Sequence, residues 1–111
     1  MAFDPELAAR VRRLLARRKG VEEKRMFGGI GFMLKGHMLV AVSRGSLLLR
    51  LGAERAEAAM REEHVTAFTI RGRASKAWVW LDSAGIESDE KLKDWLRQAT
   101  AFVATLGPPK G

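Results

Sequence analysis

A chain of 111 residues, 47% hydrophobic and 30% charged, has the size and balance of one globular domain with a real core, which excludes general disorder. It contains no cysteine, so disulfides, thiolate chemistry and cysteine-ligated zinc are ruled out, and a reducing cytoplasm is the expected compartment. The formal net charge is +7, and its excess is uneven: residues 1–25 hold eight Lys/Arg against four Asp/Glu, residues 71–76 hold three bases and no acid, and the rest cancels.

Asp4 followed by Pro5 marks a helix start, because Asp caps free amides and Pro fits the first helical position. Leu7, Val11, Leu14 and Leu15 then recur at helical spacing, with Arg10, Arg13 and Arg17 grouped on a different face, until Gly20 stops the helix. Arg17, Arg18 and Lys19 are expected in its last turn, against the negative end of the macrodipole. Residues 21–27 lead into a meander whose first strand starts near Glu23 and runs into Gly28-Gly29. Three apolar runs, 30–34, 38–42 and 47–51, are too short and too closely punctuated to be helices. Lys35-Gly36 and Arg44-Gly45 separate them as tight turns, giving an antiparallel meander.

Gly52 opens a short helix, AERAEAAMRE, with Ala56, Ala59 and Met60 expected to face inward. Residues 66–70 alternate as a strand with Phe68 and Ile70 on one side, the basic loop 71–76 follows, and Ala77-Trp78-Val79-Trp80-Leu81 is strongly strand-forming. After a turn at 82–85, Ser88 caps the last helix, in which Leu92, Trp95, Leu96, Ala99, Phe102, Val103 and Leu106 follow the helical period. Gly107 ends it, so the reading is one domain over 1–107 and a flexible tail at 108–111.

Helix, three strands, helix, two strands, helix (α-β-β-β-α-β-β-α) predicts an α+β, two-layer fold with an antiparallel sheet and helices mostly on one face. The strands are apolar on both sides, as Leu47, Leu49 and Leu51 against Leu48 show, so the second face needs a cover. A wrapped helix or a second subunit would supply it, and a homodimer is the expectation. No apolar stretch approaches the roughly 18 residues of a membrane span, and the N-terminus lacks the pattern of a signal peptide, so no membrane association is expected.

No catalytic constellation emerges. Gly28-Gly29-x-Gly31 lacks the Lys-Ser/Thr of a phosphate loop and precedes no helix; glycines that admit a bulge or a close backbone approach are the simpler reading. His37 and His64 lack a clustered third ligand, and the serines sit in turns or caps, so no catalytic, cofactor or metal residue is assigned. Arg10, Arg13, Arg17, Arg71, Arg73 and Lys76 are the candidate anion or nucleic-acid contacts, provided the fold brings their two segments together. Trp78 and Trp80 share a strand face beside that basic loop, where they either pack in a core or dimer face or stack bases.

With Met26-Phe27-Gly28-Gly29-Ile30-Gly31-Phe32, the hairpin through Gly36-His37-Met38, and the ending Asp89-Glu90 to Trp95, the chain resembles the TfoX N-terminal-domain family, named for bacterial competence regulators. The resemblance covers about residues 5–106 and implies a two-layer fold similar to secretion chaperones. It implies a transcriptional co-regulator of DNA uptake that cooperates with the cyclic-AMP receptor protein, and hence a protein partner in the transcription machinery. The full-length regulators carry a second, helical domain for which 111 residues leave no room, so a stand-alone domain is expected. Ala74-Ser75-Lys76-Ala77 departs from the Pro-Met-Lys-Gly common in relatives. The reading is therefore a non-enzymatic regulatory or protein-interaction module without cofactor. The alternative is weak, sequence-nonspecific nucleic-acid binding through 10–19 and 71–76.

Overall fold

Helix α1 (Pro5–Leu15) begins where Asp4 accepts hydrogen bonds from the amides of Glu6 (2.9 Å) and Leu7 (3.3 Å). The computed structural model describes residues 4–26 and 28–107, without the side chain of Met26; Phe27 of the glycine-rich signature and the expected tail at 108–111 lie outside the described residues. The helix ends at Leu15 with Ala16 as its cap, one turn earlier than the charge pattern implied. Arg17, Arg18 and Lys19 therefore lie beyond it, because after Leu15 no apolar side chain anchors another turn to the core, and Arg12 and Arg13 occupy the last turn instead.

Four strands follow in succession: β1 (Val21–Met26), β2 (Gly29–Leu34), β3 (His37–Ser43) and β4 (Ser46–Arg50). The segment read as a lead-in is thus a strand of its own, paired with β2 along its whole length from Val21 opposite Leu34 to Met26 opposite Gly29. Four consecutive charges, Glu22 to Arg25, are tolerated there because β1 is an edge strand. Helix α2 (Ala53–Ala59), β5 (Val65–Ile70), β6 (Arg73–Leu81), a 3-10 turn (Ser83–Ile86) and α3 (Asp89–Val103) complete the described chain. Ser88 caps α3 by accepting from the Lys91 amide (3.1 Å). Ala56 and Ala59 are buried as expected, but Met60 falls beyond the end of α2 and is 44% exposed.

The six strands form one antiparallel sheet in the order β1-β2-β3-β4-β6-β5, an α+β architecture. Residues directly opposite each other share a face, so the register assigns rows across the sheet. One row runs Glu23, Phe32, Val40, Leu49, Val79, Ala67, and its four central members are at most 1% exposed. This is the face the helices cover. α1 packs beside α3, α3 lies over β3 and β4, and α2 lies over β6, all contributing to one continuous core. Shifts of register between Phe32 and Met33 and between Ala67 and Thr69 bend the sheet around that core.

The adjoining row runs Lys24, Gly31, Ala41, Leu48, Trp80, Thr66 and faces the other way. Leu48 and Trp80 in it are only half-buried, as are Met33, Met38, Phe68 and Trp78. No described helix crosses this face. Of the two covers that strands apolar on both sides call for, the wrapped helix is not found among the described residues, and the face is open in the single chain.

Candidate functional site on the open sheet face

Leu48 and Trp80 are register partners at the middle of the open face, and Arg50 and Trp78 are partners two residues along. The β6 alternation that buries Val79 and Leu81 necessarily turns Trp78 and Trp80 outward. Phe68 of β5 packs against both rings, 6.0 Å from Trp80 in an edge-on arrangement and 6.4 Å from Trp78, tilted by 59°. The Arg50 guanidinium lies over Trp78 with 5.4 Å to the ring centroid. Its Nε is shut away from solvent and has no hydrogen-bond acceptor among the described residues. A shallow groove of about 300 Å³ beside this cluster is lined by Met38, Ala41, Leu48, Phe68 and Trp80, with Gly29 at its margin.

Arg50 differs from four arginines of the helical side, Arg10, Arg12, Arg13 and Arg97, which have carboxylates. Arg10 donates to Asp89 (3.0 Å) and to the carbonyls of Ile86 (2.8 Å) and Glu87 (3.3 Å), and Arg13 donates to the other Asp89 oxygen (2.6 Å). Arg12 pairs with Glu23, and Arg97 with Asp94. The hydrogen bond from Arg10, reinforced by Arg13, holds Asp89 below its ordinary carboxylate pKa; Arg12 does the same to Glu23.

Two of the six candidate cations, Arg10 and Arg13, thus serve to pin α1 to the start of α3. Arg17 lies past the end of α1, while Arg71, Arg73 and Lys76 are exposed around the β5–β6 hairpin. The fold does not bring the two basic segments together, because α1 lies on the β1–β2 side, where Arg12 reaches Glu23, and β5 is the opposite edge strand. With strands spaced at about 4.8 Å, six of them separate those edges by about 24 Å.

The fold sorts the charge by layer instead. Residues 21–51 and 65–81, the strands and their hairpin turns, carry eight Lys/Arg and two Asp/Glu, whereas the remaining described residues, the helices and their connections, carry eleven of each. Three hairpin turns bear this charge at their tips: Lys35, Arg44 and Arg71 sit at φ of 51°, 54° and 52°, a region that L-residues with long side chains rarely adopt. The sequence shows the turns at 35–36 and 44–45, but the expected basic loop 71–76 is only a two-residue turn, since β6 pairs with β5 from Arg73 onward; neither the base at the left-handed position of each turn nor Arg50 was anticipated. The repeated Lys/Arg-Gly pairs at 35–36, 44–45 and 71–72 were the available signal.

In the signature, Gly28 takes φ of 76° in the β1–β2 turn, Gly29 and Gly31 lie along the open face, and Phe32 is buried in the core. His37 contacts the Gly107 carbonyl through Nε2 (2.5 Å), and His64 lies near Glu63 (3.8 Å). Among the described residues no group of three or more His, Cys, Asp or Glu is placed to hold a metal, and no helix is long and apolar enough to cross a membrane.

No curated protein and no solved structure matches the chain. The family model of the TfoX N-terminal domain matches residues 13–103, which span the sheet, its open face and all of α3, and the chain therefore belongs to the TfoX N-terminal domain family.

Proposed function

We propose that this protein is a non-enzymatic regulatory interaction module of the competence-regulator type, which works by docking a macromolecular partner on the open face of its sheet. The observation that carries the reading is the half-buried apolar surface of Met38, Leu48, Phe68, Trp78 and Trp80, left uncovered while all three described helices crowd the other side. Family membership supports the regulatory part. The functional side chains are then hydrophobic and aromatic anchors, with affinity drawn from burial and not from a reactive group.

The test is genetic. Deleting the gene from its host and, separately, replacing Leu48 by Asp should both lower transcription of the DNA-uptake genes to the same level. A deletion that leaves those transcripts unchanged overturns the regulatory role. A Leu48→Asp protein present at its normal level and fully active overturns the docking face.

A further inference from the structure

We infer that the partner on the open face is a single-stranded nucleic acid, its bases lying on Phe68, Trp78 and Trp80 and its phosphates on the cations around them. The inference rests on the docking reading above and adds the chemistry of what docks. Charge complementarity selects the partner. The whole charge excess of the described residues lies in the strand layer and its turns, while the helical layer is balanced. Its bases are spread around the aromatic centre, not gathered in one spot. Lys24 stands at the β1 end of the open row, Lys35 and Arg71 mark the turns at one end of the strands, and Arg44 marks the other.

A centre of half-exposed rings inside a basic rim is the arrangement by which single strands are held without sequence readout: every base offers a flat face, and every nucleotide a phosphate. Gly31 and Ala41, between Lys24 and Leu48, leave the row low enough for a chain to cross. Among the described residues Arg50 has no carboxylate partner; it lies over Trp78, placed to meet a phosphate beside the rings. A second copy of this chain would set two basic layers against each other, and a duplex hides its base faces from the rings. An acidic peptide meets the charge but not its dispersal round the rim.

Fluorescence anisotropy with labelled oligothymidylate and oligouridylate of twenty nucleotides tests this, beside a twenty-base-pair duplex and poly-L-glutamate. Both single strands should bind and quench tryptophan emission, with log K falling against log salt by about 0.7 per phosphate engaged. Trp80→Leu should weaken them about five- to a hundredfold. Arg50→Gln, which leaves the rings in place, should weaken them about tenfold. Changing Lys35 and Arg71 to Asn should flatten the salt slope.

Equal binding of the duplex or of polyglutamate, or binding indifferent to Trp80→Leu and Arg50→Gln, overturns the inference. So does a dimer in light scattering that Leu48→Asp dissolves and that excludes the oligonucleotides. If neither single strand binds while Leu48→Asp still abolishes activity in the host, the nucleic acid is wrong and the docking face survives. If Leu48→Asp is also silent there, both fall.

Discussion

Replacing Lys35 and Arg71 together by asparagine should make the protein more stable. Each is the first central residue of a two-residue hairpin turn whose second is a glycine with φ of 87° or 80°, so both central positions of each turn are left-handed. A long L side chain held there costs about 1–2 kcal/mol, whereas Asn tolerates the region through local hydrogen bonds. Allowing for the part of the cost that Asn retains, relief of roughly 0.5–1 kcal/mol per turn is expected, or about 1–2 kcal/mol for the pair. For a chain of 111 residues that is a rise in Tm of about 4–8 °C. Thermal and urea unfolding followed by circular dichroism, with an unchanged urea m-value, would measure it. Removing positive charge from a protein of net charge +7 also relieves repulsion, so the control is Lys35→Gln with Arg71→Gln, which loses the same charge but keeps the strained backbone. Equal stabilisation by Gln and Asn would refute the backbone argument, and a loss of stability with Asn would show that these side chains contribute more than their conformation costs.

Neighbouring leucines of β4 should behave very differently. Leu49→Ala, at 0% exposure, should cost about 2–5 kcal/mol in urea unfolding, and Leu48→Ala, on the open face, about 1 kcal/mol or less. Gly52→Ala should cost about 2–4 kcal/mol, since its φ is 85° and a Cβ there would stand 2.4 Å from the Phe102 ring; a neutral result in the same assay would mean that Phe102 moves aside freely. Asp89→Asn should be less stable than the parent at neutral pH. A carboxylate whose folded pKa is lowered stabilises above its unfolded pKa and stops doing so as pH falls through the folded value, so the difference should close on acidification below the ordinary Asp range. A gap that stays constant with pH would show that Asp89 acts through something other than its charge.

The sheet and the long helix were legible because their signals are local. Ser88 capping α3, the period from Leu92 to Val103 and the alternation from Trp78 to Leu81 each place a side chain without knowledge of distant chain. β1 was legible only as the beginning of a strand near Glu23 and not as a strand of its own, because an edge strand needs no apolar alternation and VEEKRM has almost none. The early end of α1 was hidden for a related reason: basic residues suit a helix C-terminus and an irregular turn equally well. The site was half-legible. Trp78 and Trp80 stood out as a shared face, but Arg50 acquires its meaning only from the pairing of β4 with β6, set by tertiary packing across an intervening helix and strand. In the sequence the basic excess falls in two segments. Folding reassigns it, since Arg10 and Arg13 are consumed by Asp89 while Lys24, Lys35 and Arg44, scattered in sequence, come to share one layer.

The unbroken charges from Glu22 to Arg25 bear on how copies of this protein can meet. A bare hydrophobic sheet invites lateral growth into ribbons, each border templating the next, but here one border is a strand on which every approaching chain must desolvate two carboxylates and two cations. That border is closed to further pairing, so only the β5 border can accept another strand, and two copies joined there have no open edge left. Crowded molecules are thereby steered toward a contact that saturates at one partner and away from an open-ended fibre.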